Sequence, residues 1–153
     1  MRKDDWTLTR RLRSMWEAAD PVPDDLADRV LFGLQLEDLE FEVLRLEAML
    51  QPAGARGHES ARTVTFTSDS LSVMVTVSEA ASGLRRLDGY IVPAAALRVE
   101  LRAAHGCQHT DADHTGRFAF PAAPTGLLQL VFHPTDGAAV ELARPVVTPA
   151  IQL

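Results

Sequence analysis

The chain has 153 residues, 46% of them hydrophobic, with 15 Lys and Arg against 21 Asp and Glu for a net charge of −6. That length holds one compact domain, or one domain with a helical appendage, and not two full domains. The acidic balance without a long basic run argues against nucleic acid as a partner, and no segment nears the ~18 continuous apolar residues of a membrane span. Cys107 is the sole cysteine, so an intrachain disulfide is excluded. With no apolar run behind Met1-Arg2-Lys3, the expected compartment is a reducing one, the cytoplasm.

In chain order, a short helix is predicted from about Thr7 to Ala19, with Leu8, Leu12, Met15 and Trp16 along one side. Trp6 and Trp16 are expected in core or helix–helix packing. Asp20-Pro21-Val22-Pro23 ends the helix. Pro23 suits the first turn of a second helix, and Asp24, Asp25 and Asp28 lie where the positive end of its dipole favours carboxylates. This second helix is predicted to run to Leu50. Phe32, Leu36, Leu39, Val43, Leu46 and Leu50 recur in steps of four, three, four, three and four, the spacing of a coiled-coil seam. Leu34, Phe41 and Leu44 add a second apolar strip, more than one short helix covers alone. The seam is therefore expected to bury against the following domain, against a second copy as a homodimer, or against a partner protein. Asp38, Glu40, Glu42 and Glu47 face only Arg45, which reads as a solvated face or as a surface complementary to a basic partner.

Small residues, Gly and Pro in Gln51-Pro52-Ala53-Gly54-Ala55-Arg56-Gly57 mark a linker, after which the period changes from helix to strand. Arg62–Thr67 and Leu71–Val77 alternate around Ser68-Asp69-Ser70 and read as a hairpin. Further strands are predicted at Leu87–Val92, Leu97–Arg102, Arg117–Phe120, Leu127–Phe132, Val140–Ala143 and Val146–Ile151, with Tyr90 and Phe132 in the core. The fold class expected is α+β: a helical hairpin over residues 1–50, a linker over 51–60, and an antiparallel β-sandwich of about seven or eight strands over 61–153.

Within the last region, Thr110-Asp111-Ala112-Asp113-His114-Thr115-Gly116-Arg117-Phe118-Ala119-Phe120 is followed by Pro124-Thr125-Gly126-Leu127-Leu128-Gln129-Leu130. This pattern resembles the carboxypeptidase regulatory-like domain, a transthyretin-like seven-stranded sandwich, best over Leu97–Phe132. The resemblance implies that the Asp-Gly-Arg-Phe turn is structural, here lengthened by His114 and Thr115, and that the domain mediates contacts rather than peptidase chemistry. Met15 to Val30 is similar to the helical leader of actinobacterial proteins that accompany extracytoplasmic-function sigma factors. That likeness implies a sigma-factor-like partner. The His and Cys-x-x-Cys pair of zinc-type anti-sigma domains does not occur, since no Cys or His precedes His58.

His105, Cys107 and His109 share a strand face with Asp111 if that segment is extended, so a tetrahedral zinc site is conceivable. Asp111, Asp113, Thr115 and Gly116 imitate the start of a calcium loop, but Ala122 stands where its bidentate Glu belongs. His58-Glu59-Ser60-Ala61-Arg62 begins like a zinc-protease helix and has Arg62 in place of the second His. Neither a Gly-x-Ser-x-Gly elbow nor a P-loop is present, and the Tyr-Arg-Gly-Ser of the transthyretin-like hydroxyisourate hydrolases does not occur. No enzyme, cofactor or metal is therefore expected. The reading is a non-catalytic regulatory module that binds a protein partner through Leu36, Leu39, Val43 and Leu46, oriented by Glu40, Glu42 and Glu47. The alternative is a ligand-binding sandwich for a peptide or glycan.

Overall fold

The computed structural model of the chain describes residues 3–34, 40–50 and 61–153. It divides into two units, Met1–Glu37 and Asp38–Leu153. Together they give an α+β layout of two helices followed by two mostly antiparallel sheets.

The first unit holds helices α1, Lys3–Ala19, and α2, Leu26–Leu34. Asp20 N–H still donates to Trp16 O at 2.8 Å, and Pro21, which has no N–H, stops the ladder there. Pro23 O then accepts from Leu26 N–H at 3.0 Å and opens α2. The two helices do not pack along one another.

The predicted helix to Leu50 does not form. Glu42–Val43 is strand β1 and Arg45–Leu50 is strand β2. Physically, two sheet edges capture the segment. β1 lies parallel to Val146–Val147, and β2 lies antiparallel to Arg62–Thr67. Leu44, between them, is fully buried and donates its N–H to Val147 O at 2.8 Å, so the chain changes sheets at one core residue. A β-bulge between Leu46 and Ala48 shifts the parity of β2. Leu46 and Met49 therefore both lie on the face of their partners Phe66 and Val64, although they are three residues apart. Of the expected seam, Leu46 pairs with Phe66 and Leu50 with Thr63, on opposite sides of β3, so no common apolar face joins them.

The remaining strands are β3 Arg62–Thr67, β4 Ser72–Glu79, β5 Arg85–Val92, β6 Arg98–Ala103, β7 Gly106–Asp111, β8 Arg117–Ala123, β9 Leu127–His133, β10 Val146–Val147 and β11 Ile151–Gln152. One sheet runs β1-β10-β9-β6-β7, with β11 also paired to β9, and the other runs β2-β3-β4-β5-β8. The predicted strand at Val140–Ala143 is irregular chain, although Leu142 is buried. The predicted strand Val146–Ile151 is split in two around Thr148 and Pro149. Thr148 is fully buried and satisfied there, exchanging hydrogen bonds of 2.9 Å with the Leu130 backbone through its own N–H and Oγ1.

Both sheets contribute to a single hydrophobic core, with Val64, Phe66, Val73, Val75, Leu87 and Ile91 from one and Val99, Leu101, Leu128, Leu130 and Phe132 from the other. Phe118 stands edge-on to Phe120 and Phe132, with ring centroids 6.2 and 5.7 Å away. Its ring occupies the space a side chain would need at its cross-strand partner Gly89, where an added Cβ would lie 2.0 Å from the Phe118 ring. Tyr90, expected in the core, is instead on the outer face and 40% exposed, because its neighbour Gly89 takes the inward position.

Candidate functional site

The first unit is defined by what it leaves uncovered. At about 100° per residue, Leu8, Leu12, Met15 and Trp16 fall within an arc of about 100° on α1. All four are exposed, as is Trp6, and Trp16 is 71% accessible. The expected packing role of the two tryptophans is thus not met among the described residues. On α2, Leu26, Val30, Leu31 and Leu34 share one side and are exposed, whereas Phe32, on the other side, is buried. Arg10, Arg11 and Arg13 of α1 have no ion-pair partner among the described residues, nor do Asp20, Asp24, Asp25 and Asp28. Two apolar stripes accompanied by unpaired charges of opposite sign have the composition of a protein-docking surface.

The residues predicted to form the binding seam are dispersed. Leu36 and Leu39, with Asp38, lie outside the described residues. Val43 in β1 and Leu46 in β2 are 54% and 51% exposed, so they belong to sheet edges and not to a helix face. Glu40 is exposed. Glu42 accepts from Ser70 N–H at 2.9 Å and from Ser70 Oγ at 2.6 Å, which ties β1 to the β3–β4 turn. Burial pushes its carboxyl upward, but hydrogen bonds from Ser68 and Ser70 prevail and hold it below its ordinary range. Glu47 accepts from Thr67 Oγ1 at 2.5 Å. Two of the three glutamates expected to orient a partner therefore brace the fold.

The cluster of ligand-type residues in the sequence falls on and around β7. His105 sits in the turn before it, so it does not join Cys107, His109 and Asp111 on the strand face. Those three lie opposite Arg102, Glu100 and Arg98 of β6. Glu100 is the hub: His133 Nε2 of β9 donates to its Oε2 at 2.8 Å, and His109 Nε2 is 3.8 Å away. Burial raises the Glu100 carboxyl, and the His133 and Cys107 hydrogen bonds with the His133 and His109 charges outweigh it, leaving it lowered. The Cys107 thiol is pushed up by partial desolvation and by Glu100, against a smaller pull from Arg102, and so remains a protonated thiol at neutral pH. Among the described residues no group of three His, Cys, Asp or Glu is arranged to hold a metal ion. Arg98 and Arg102 alternate with Glu100 on the same face and add positive charge where a cation would bind.

Asp113 does not act as a calcium ligand would. One of its oxygens accepts from Thr115 N–H, Thr115 Oγ1 and Arg117 N–H at 2.8, 2.6 and 3.1 Å. These bonds, the Thr115 hydroxyl foremost, lower its carboxyl and close the turn into β8. Gly116 completes that turn at φ +85°, where an added Cβ would lie 2.6 Å from Ile91 O. The protease-like motif lies mostly outside the described residues, and its last residue, Arg62, begins β3.

Two grooves flank these strands. One, of about 520 Å³, contains Glu100, His109 and His133. The other, of about 760 Å³ on the outer face of the second sheet, is lined by Met74, Thr76, Asp88, Tyr90, Asp113 and Arg117 among others. Sequence reading missed Glu100 and His133, because a partnership 33 residues apart leaves no local pattern.

No family model, curated protein or solved structure gives a significant match to the chain. The site therefore rests on its own geometry. Among the described residues no helix is long and apolar enough to cross a membrane.

Proposed function

We propose that this chain is a non-catalytic regulatory interaction module whose helical unit docks a protein partner while the β unit serves as scaffold. The observation that carries the reading is the 17-residue α1, whose Leu8, Leu12, Met15 and Trp16 are all exposed. Most helical stability in proteins comes from packing an amphipathic face, so an apolar stripe of this kind gains its stability from whatever it docks against. Its side chains are the anchors, in place of the seam through Leu36 and Val43. The Thr110–Leu130 pattern supports a transthyretin-like sandwich for the β unit, and the leader likeness supports a helical, sigma-factor-like partner. The test is capture by the full-length chain and by Leu12→Asp/Trp16→Asp in the cells that make it, after circular dichroism shows equal strand content. A protein, a second copy of the chain included, retained only by the unaltered chain supports the reading, and identical captured sets contradict it.

A second reading, that the β unit binds a peptide or glycan, is favoured by the groove over Tyr90 and Met74, both exposed beside Asp88 and Arg117. Tyr90→Ala should then abolish ligand-induced shifts in nuclear magnetic resonance spectra recorded with peptide and oligosaccharide mixtures. An absence of shifts with the unaltered chain removes this reading.

A further inference from the structure

Resting on the proposed docking role of the helices, we infer that the occupant of their exposed stripes is a second copy of this chain, joined through α1 of each copy against α2 of the other. The two helices are complementary in charge to one another. α1 carries Arg10, Arg11 and Arg13, and the approach to α2 carries Asp24 and Asp25 with Asp28 in its first turn. Each set lacks a partner of opposite sign among the described residues, and each accompanies an exposed apolar stripe. An unrelated partner with one basic or one acidic face would satisfy only one of the two sets. A two-fold arrangement satisfies both at once, because α1 meets α2 of the other copy twice.

Among the described residues the chain does not make these pairs within itself. A hairpin closing on residues 20–25 sets Asp24, Asp25 and Asp28 opposite the last turn of α1, where Glu17 is the charged residue. Arg13 lies about 6 Å and Arg10 about 10 Å farther along the helix axis. A second copy has no tether at that turn, so its register is free to bring Arg10, Arg11 and Arg13 to the aspartates. Arg11 borders the α1 stripe and Asp28 borders the α2 stripe, so these two form the pair nearest the buried seam. Leu8, Leu12, Met15 and Trp16 then cover Leu26, Val30, Leu31 and Leu34 of the other copy, and the reverse.

Sedimentation velocity of the full chain from about 1 to about 100 µM tests this, with three variants. The unaltered chain should be dimeric at the upper concentration and should dissociate as salt is raised. Arg10→Asp/Arg11→Asp/Arg13→Asp and Asp24→Arg/Asp25→Arg/Asp28→Arg should each weaken self-association at least about tenfold, since each variant then meets its own like charge. Mixed in equal amounts, the two should form a heterodimer, an outcome that a merely misfolded variant does not give. A monomeric unaltered chain overturns the inference and leaves the docking reading to the capture experiment. So do reversal variants that dimerise as tightly as the unaltered chain, or a mixture that stays monomeric. A dimer that persists in Leu12→Asp/Trp16→Asp places association outside the helices and overturns the inference together with the reading it rests on.

Discussion

Gly89 and Phe118 show how one residue pair decides the core. The Phe118 ring lies where the Gly89 side chain would be, and its edge-on contacts with Phe120 and Phe132 depend on that space. Gly89→Ala should therefore lower stability by roughly 1–3 kcal/mol through overpacking, read as a reduced denaturant midpoint. A midpoint equal to that of the unaltered chain would show that the ring moves freely. Glu100 is a second such residue, one whose effect depends on pH. Its carboxyl is held low in the folded chain, so its contribution is fully present above the unfolded carboxylate range and is lost as pH falls through the folded value. Glu100→Gln should cost roughly 1 kcal/mol at pH 7, and the difference should shrink as pH falls below the ordinary carboxylate range. A cost that persists unchanged into acid would assign the effect to packing. The Asp113 turn was legible in the sequence, because Asp, Thr and Gly within four residues state their own hydrogen bonds. The Glu100–His133 pair was not, because register between β6 and β9 is a property of the assembled sheet.

At the scale of elements, α1 was readable from its period and its proline stop, as were the hairpin of β3 and β4 and the strands through Phe118, Phe120 and Phe132. The segment of β1 and β2 was misread for a stated reason. Leu46 and Leu50 of the expected seam are four apart, as in a helix, but pair with Phe66 and Thr63 on opposite faces of β3, and the residue the core takes from this segment is Leu44. Substitution separates the two descriptions. Leu44→Ala should destabilise the β unit by roughly 2–5 kcal/mol, because Leu44 is fully buried, whereas Leu46→Ala, half exposed, should cost less than about 1 kcal/mol. Equal losses at both positions in urea unfolding would return the segment to a helix seam. Glu42 belongs to the same lesson: its sequence context read as an acidic docking face, and its two hydrogen bonds from Ser70 make it a brace.

At the scale of the whole molecule, the two units differ in how they are stabilised. The β unit owns a core drawn from both sheets, while among the described residues of the helical unit only Phe32 is buried. A unit with its own core folds by itself, and a helix that exposes its whole apolar stripe is completed by something else. The division at residues 37 and 38 was legible only coarsely, as a change of period, because the sequence before the glycine- and proline-rich stretch already serves the sheets. The same contrast is what supports the proposed docking role. The most direct measurement is hydrogen exchange of the full-length chain at about 1 µM and about 100 µM. Amides of α1 should exchange quickly when dilute and become protected on association, while those of Val75, Leu101 and Leu130 stay protected throughout. Protection of α1 equal to that of these core strands at the lower concentration would contradict the account, since the helix would then already be complete within one chain.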